Sequence, residues 1–581
     1  MKAKNLKQSK RLNFIFLLTL ITVNLAVFIP SMNGDFLWDD KYFISENPYI
    51  LSPHFLPNFL ISPFGGLSGT DENSIRFDRS RQFYRPFSSL SYWADRKIWG
   101  FNPAGFHLTN ILLHTANTII LYFILLNLGL SKISSFLSSL LFSLFPLHFE
   151  NVSWISGRTD LLSFLFASLS ILFFLKFLKR KDYVLLSLSS LLYLFSLLSK
   201  ESAIFLIVIY FFVLYLREPK FKDSVISMIP FVLSFSVWLI LRSMALGSRT
   251  FEYSGRILSD FLSTTGHYFF RIAFPFQLSF TVDSYQIFKN VFYQIIGGLV
   301  TLLFIVTAIF LLTRKIKDSK HSFAFFSFYL LLLPSVVIIF SSFTVSFIAW
   351  RFLYLPSALF LSYLVFILFK HLKVKAVSII VIALLCILYT VETYPKNKVF
   401  GKNETDFWLS FKNIEREDLI AKFNVGVTHL PKNEKKAVDI FNNILMTQKD
   451  HHLYRRYEVR IYEDLAQYYT FKKNFPMAEK YFNELRKVRT HQSQHFYFNY
   501  AYFLAFQGKI ENGEKIVKRM LNLFPENHLV LVHSARFYIL TGNYQKAFEL
   551  LTKDYKLFPT RETLKLLLKL KEERQNRLPT P

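Results

Sequence analysis

The chain has a single cysteine among its 581 residues, Cys386. No internal disulfide and no cysteine-built zinc cluster is therefore available. A Walker-type loop and a GxGxxG turn are both missing, which sets nucleotide hydrolysis aside. His148 and Glu150 lack the HExxH spacing, so no metal site and no metal cofactor are expected. Acidic residues are scarce: 40 Asp and Glu stand against 68 Lys and Arg, a formal net charge of +28. In a soluble protein that excess would suggest nucleic acid. Here much of it sits in short loops between apolar runs. Topology signals and anionic lipid headgroups are the expected reason for it, and no nucleic-acid partner is expected. Strands of alternating polarity are lacking too, and without them a membrane-spanning chain has only helices left.

What is abundant is apolar surface. The chain is 52% hydrophobic with 68 Phe, and its mean hydropathy is +0.29. Runs such as 13–30, 160–178, 183–199, 292–313, 352–370 and 374–391 are long enough to cross ~30 Å of hydrocarbon. Lys2, Lys4, Lys7, Lys10 and Arg11 predict a cytoplasmic N-terminus, and the apolar run after them reads as a retained signal anchor. Eleven spans, near 13–30, 107–127, 135–147, 160–178, 183–199, 203–216, 224–243, 292–313, 322–340, 352–370 and 374–391, place every later basic cluster on the same side. The apolar stretch 257–280 would break that pattern if it crossed, so it is expected to lie as an interfacial or re-entrant helix on the outer side. The loops 31–106 and 148–159, and everything after about 392, then fall outside the cytoplasm.

The tail repeats with a period of 34: Ala501 and Ala535, Gly508 and Gly542, Gly513 and Ala547, Pro525 and Pro559 coincide. That is the tetratricopeptide period, with small residues where paired helices meet and Pro ending the second helix. Ala466, Ala478 and Phe482 fit an earlier copy, and Ala437 and Phe441 a degenerate first one. The expected class is all-α. A polytopic helix bundle over 1–392 is followed by a linker over 393–420, an α-solenoid over 421–570 and a polar tail over 571–581. A solenoid's concave face suits a partner polypeptide, although a rigid spacer or a dimer contact fits the repeats as well.

Chemistry-bearing residues gather at the outer edge. Asp39 and Asp40 follow Trp38 just past the first span, where a carboxylate pair can serve as base, metal ligand or salt-bridge partner, or simply cap a helix. His107, Asn110, His114 and Asn117 line one helix face. Such a stripe either lines a cavity or hydrogen-bonds between helices. The loop around 148–160 carries His148, Glu150, Arg158 and Asp160. Arg158, Lys200, Arg242 and Arg351 all lie on the outer side, against the charge rule. Several such cations together suggest an anionic ligand such as a lipid-linked phosphate, while Lys200-Glu201 also fits a simple local pair. The loop 31–106 is too long for a plain connector, and short surface helices are expected in it.

Phe36-Leu-Trp-Asp39-Asp40, Asn47-Pro48, Tyr84-Arg85-Pro86, Gly105-Phe-His107-Leu-x-Asn110-x-Leu-Leu-His114, Pro146-Leu-His148-x-Glu150, Gly157-Arg158-x-Asp160-Leu-Leu, Ser199-Lys200-Glu201 and Tyr354-Leu-Pro356-Ser357 occur in that order. With the trailing repeats, they resemble the TMTC-type transmembrane and tetratricopeptide O-mannosyltransferases of the GT-C glycosyltransferase superfamily. The family pattern has an acidic residue before the Arg of its Arg-Tyr-Leu-Tyr-Leu-Pro motif, whereas this chain has Trp350-Arg351-Phe352. The resemblance implies a GT-C-type bundle that transfers a sugar, typically mannose, from a polyprenyl-phosphate carrier to an acceptor hydroxyl. It also implies work on the non-cytoplasmic face without a metal or other cofactor. The acidic motif maps onto Asp39 and Asp40, with Asp39 as the expected base. Arg85, His107, His148, Glu150, Arg158, Asp160, Lys200, Glu201, Arg351 and Tyr354 become candidates for holding the donor's phosphate or sugar. The expected partners are the donor, an acceptor polypeptide held by the repeats, and membrane lipids. A bacterial inner membrane is favoured over the endoplasmic reticulum. A lipid or solute transporter, and a non-enzymatic membrane-anchored scaffold, are the competing readings. A transporter would show inverted internal symmetry, and a scaffold leaves the outer ionisable residues without a task.

Overall fold

The computed structural model describes residues 2–45, 47, 50, 59–64, 83–217, 221–246, 257–313, 320–337, 348–372, 374–411, 418–449, 451, 454–488, 494–557 and 561–575. Pro48 of the Asn47-Pro48 pair and the tail from 576 onward fall outside them. Among the described residues every regular element is helical. The chain divides into two compact units, Met1–Leu37 with Tyr84–Phe407, and Trp38–Phe83 with Trp408–Pro581.

The first unit is a bundle of apolar helices. Among the described residues seven are long and apolar enough to cross a bilayer: Lys10–Asn33, Pro103–Asn127, Ile155–Arg180, Phe221–Leu246, Val291–Leu312, Trp350–His371 and Lys375–Phe400. A bent pair, Lys132–Leu144 with Pro146–Ser153, broken by 49°, reaches the length and apolar character of an eighth only when its two halves are taken together. Pro146 explains the break, because it has no N–H to continue the ladder. The protein is a multi-pass membrane protein. The other three expected segments are shorter helices, Tyr183–Ser199, Leu206–Arg217 and Lys320–Val337. The stretch expected to lie at the interface is a 17-residue helix, Ile257–Ala273, followed by extended chain. It buries Asp260, Ser263, Thr264 and His267 on one side and packs closely on Val291–Leu312. At the crossing Gly266 and Gly297 face each other's helices, and a Cβ on either would sit 1.9 Å from a backbone oxygen.

The second unit contains the solenoid. Helix pairs Leu419–His429 with Glu434–Thr447, Tyr454–Phe471 with Phe475–Val488, Gln494–Phe506 with Ile510–Leu523, and His528–Leu540 with Tyr544–Leu557 precede Arg561–Gln575. Ala437, Ala478, Ala501, Ala535 and Ala547 are fully buried where paired helices touch. Gly508 and Gly542 turn the chain at φ +81° and +83°, a left-handed conformation that costs glycine nothing. The segment after the first helix supplies Trp38–Phe83 to this unit, and the Trp38 ring meets the edge of Trp408 at 5.9 Å.

Candidate active site

The polar stripe of Pro103–Asn127 organises the first unit. Asn102 caps this helix, its side chain accepting from the Ala104 N–H, and Pro103 takes the first position, where a missing N–H is harmless. The Asn110 amide donates to the carbonyls of Val152, Trp154 and Ile155 at 3.1–3.3 Å. Asn117 donates to the Leu161 carbonyl at 3.0 Å and to the Tyr354 hydroxyl at 3.2 Å. His114 pairs through Nδ1 with the Tyr354 hydroxyl at 2.6 Å and through Nε2 with the Ser143 carbonyl at 3.1 Å. Of the two roles open to this stripe, interhelical hydrogen bonding accounts for Asn110, His114 and Asn117. His107 is buried on the same helix.

The bonds from Asn110 fix the connection that carries Glu150. A short helix, Phe149–Ser153, gives way to a 3-10 turn, Ile155–Gly157. Gly157 is needed there, because a Cβ would fall 2.5 Å from the Glu150 carbonyl oxygen. The tight turn aims Glu150 at Arg351. The Glu150 carboxylate accepts from both the Arg351 guanidinium and, at 3.0 Å, its backbone N–H. The Asn151 amide donates to the Arg351 carbonyl at 3.0 Å. Arg351 also lies over the Trp154 ring at 5.0 Å.

Two further pairs adjoin this one. Lys200 donates to both oxygens of Asp160 at 2.6 Å and stands 4.8 Å over the Phe352 ring. Arg85 grips Glu201 through Nε at 3.2 Å and Nη2 at 2.6 Å. Lys200 lies within electrostatic range of Arg85, Glu201 and Arg351 as well as Asp160, so the three pairs form one cluster. Burial pulls the Lys200 ammonium down to about 8 although Asp160 opposes the shift. Burial would raise Glu201, but the Arg85 charge and hydrogen bonds outweigh it and hold the carboxyl at about 2. The cluster therefore keeps buried, oriented cations and anions side by side, the arrangement from which a phosphate can take up a cation.

The remaining candidates take other positions. Arg158 is fully buried. Its guanidinium meets Asp95 at 2.6 Å, the Asn110 oxygen at 2.7 Å and the Phe106 carbonyl at 2.8 Å, with the Tyr92 ring at 4.8 Å. That cation cross-links helices. Asp95 was missed in the sequence, where nothing in the helix Pro86–Trp99 marks it as Arg158's partner. His148 bonds the Ser357 hydroxyl at 2.9 Å among the rings of Phe142, Phe145 and Tyr354. Trp350, in place of the family's acid, donates to the Ser279 carbonyl at 2.9 Å and stacks on His267. Asp39 and Asp40 belong to the second unit. Asp40 is 1% exposed and Asp39 half-buried. They follow Trp38 at φ +54°, a strained conformation for a bulky residue and one found often at functional positions.

Comparison with known proteins bears on this geometry. No protein-family model matches the chain. A protein O-mannosyl-transferase of Caenorhabditis elegans is 28% identical over 218 residues, 37% of this chain and 30% of that protein. Human protein O-mannosyl-transferase TMTC2 is 32% identical over 162 residues, 28% of this chain and 18% of the relative. Mouse protein O-mannosyl-transferase TMTC4 is 34% identical over 164 residues, 26% and 21% of the two chains. The chain resembles the TMTC-type protein O-mannosyl-transferases. The matched segments span less than a third of these TMTC-type relatives, so the likeness is to part of each.

Proposed function

We propose that this protein is a glycosyltransferase moving mannose from a polyprenyl-phosphate carrier to a Ser or Thr hydroxyl of a polypeptide, on the non-cytoplasmic face. One observation carries the reading. Arg85, Glu150, Asp160, Lys200, Glu201 and Arg351 come from four distant segments and converge in one buried cluster inside a membrane bundle. Charges are costly among apolar helices and persist there when they serve a substrate. The names of the relatives supply the chemistry: a sugar transfer to a hydroxyl oxygen.

In the proposed reaction the acceptor oxygen bonds to the anomeric carbon as the bond from that carbon to the phosphate oxygen breaks. The hydroxyl proton passes to a carboxylate, assigned on the motif to Asp39. The departing lipid phosphate gathers negative charge, which Lys200, Arg85 and Arg351 offset. Attack from the opposite face inverts the anomeric configuration. Embedding the catalyst lets the prenyl tail stay in the bilayer, and the repeats hold the acceptor chain. A bacterial inner membrane, with the N-terminus in the cytoplasm, is the proposed setting.

The test is a transfer assay with purified protein in lipid, radiolabelled polyprenyl-phosphate-mannose and polypeptide acceptors. Label reaching polypeptide with the wild type but not with Asp39→Asn, the variant being inserted and folded, supports both the activity and the base. Full transfer by Asp39→Asn would remove Asp39 from that role. No transfer from any polyprenyl-linked sugar would favour the scaffold.

A further inference from the structure

Arg242 has no counterpart among the paired cations of the cluster. Arg85 pairs with Glu201, Lys200 with Asp160, Arg351 with Glu150 and Arg158 with Asp95. Arg242 lies within electrostatic range of the Arg85–Glu201 pair and over the Trp238 ring at 5.5 Å. Its Nη1 is buried and has no hydrogen-bond partner. A buried guanidinium nitrogen left without an acceptor is destabilising, a cost that an anionic ligand would remove.

The same helix, Phe221–Leu246, forms one wall of an apolar groove of about 450 Å³ whose other wall is Leu206–Arg217. Ile207 and Phe211 face Met228, Ile229, Val232 and Leu233 across it. Ile229, Val232 and Leu233 are half or more exposed, so the groove opens sideways toward lipid. Pro230 lies among these residues and has no N–H to offer the Ile226 carbonyl, which loosens the helix wall there. Arg242 stands nine residues beyond Leu233, about 13 Å along the helix axis. On the facing strand of chain Glu201 precedes Ile207 by six residues. The charged cluster and the groove thus lie along the same pair of helices, charge at one end and bare hydrocarbon at the other.

We infer that the groove between Leu206–Arg217 and Phe221–Leu246 seats the prenyl tail of a polyprenyl phosphate whose phosphate is bound by Arg242. This rests on the donor class proposed above and adds the residues that read it. A single extended chain bearing one anionic head matches the groove. A two-tailed phospholipid shares the head chemistry but brings a second chain.

The test uses the full-length protein in phosphatidylcholine nanodiscs and a sugar-free polyprenyl phosphate carrying a diazirine in its isoprenoid chain. Photolabelling mapped by mass spectrometry is expected on Leu206–Arg217 and Phe221–Leu246. Arg242→Gln should reduce the label about tenfold, the worth of one charge-assisted hydrogen bond, and Arg242→Lys should restore part of it. Leu233→Trp fills the groove from its 61% exposed lipid side and should also reduce label. Size-exclusion profile and melting transition show that each variant is intact. Label on other helices, or label indifferent to both Arg242→Gln and Leu233→Trp, overturns the inference. Competition by phosphatidylglycerol as strong as by unlabelled polyprenyl phosphate overturns the choice of ligand. The probe carries no sugar, so the two readings fail separately. Groove labelling without mannose transfer supports this site and removes the proposed activity, whereas transfer with label elsewhere does the reverse.

Discussion

Lys200 is pulled in two directions: burial disfavours its charge, and Asp160, with both oxygens at 2.6 Å, favours it. In the folded protein its proton leaves near pH 8, against an ordinary value of 10.5. Between those values the unfolded chain binds more protons than the folded one, so this group's contribution to stability rises with pH across that window. Charge available to a lipid phosphate falls over the same rise. The KM for the proposed polyprenyl-phosphate donor should therefore climb as pH passes about 8, and Lys200→Arg, which keeps its charge, should flatten the climb. An identical climb in Lys200→Arg would assign the pH dependence to another group. Arg158 makes the opposite case. Its removal strands Asp95 in the interior, and breaking a buried pair from one side costs about 3–5 kcal/mol. Arg158→Ala should lower the melting transition of the purified protein sharply, and adding Asp95→Asn should recover part of the loss. The sequence marked Arg158 as an outer cation facing an anionic ligand. It had no means to show Asp95 as its neighbour, because that pairing is made by packing between the helix Pro86–Trp99 and the start of Arg158–Arg180.

At the scale of the element, three turns of the solenoid use one device. Gly508, Gly542 and Lys473 all adopt positive φ, and the residue after each donates its N–H five residues back, Lys509 to Leu504, Asn543 to Tyr538 and Asn474 to Tyr469. In the earlier repeat a lysine at φ +57° stands where its successors have glycine. A left-handed residue with a Cβ pays about 1–2 kcal/mol, partly offset by the greater freedom of glycine in the unfolded chain. Lys473→Gly should thus stabilise the repeats by about 0.5–1 kcal/mol, read as a rise in the midpoint of chemical unfolding; a fall would mean that the lysine side chain contributes more than its backbone costs. The same turns show why the later repeats were legible. Gly508 and Gly542 recur at 34 because each copy makes the same left-handed turn, and Ala501 and Ala535 because each buries a small residue between helices. The preceding copy has Lys473 and Ala466 at these places, one residue out of the 34-residue register. The bundle was legible through hydropathy, which reports lipid contact and length. It was silent on the 49° break after Leu144 and on which cation meets which acid, since Arg85 and Glu201 stand 116 residues apart.

For the whole molecule, orientation decides what the repeats can hold. Positive loops predict that Lys176–Lys181 faces the cytoplasm and the solenoid the other side. The chain's one thiol makes this directly measurable, because Cys386 is buried in the Lys375–Phe400 helix. In a Cys386→Ser background, single cysteines can replace Lys181, exposed at the end of Arg158–Arg180, and Lys509, exposed in a turn between repeat helices. A membrane-impermeant maleimide applied to intact cells or spheroplasts should label Lys509→Cys and leave Lys181→Cys untouched until the membrane is opened. The reverse pattern would turn the chain over. The solenoid would then meet only cytoplasmic polypeptides, the basic loops would lie against the charge rule, and transfer on the non-cytoplasmic face would lose its acceptor-binding arm. Labelling of both positions from outside would mean an even number of crossings between them, and the first helix to test would be Ile257–Ala273, whose amphipathic face and 17-residue length already set it apart from the spans around it.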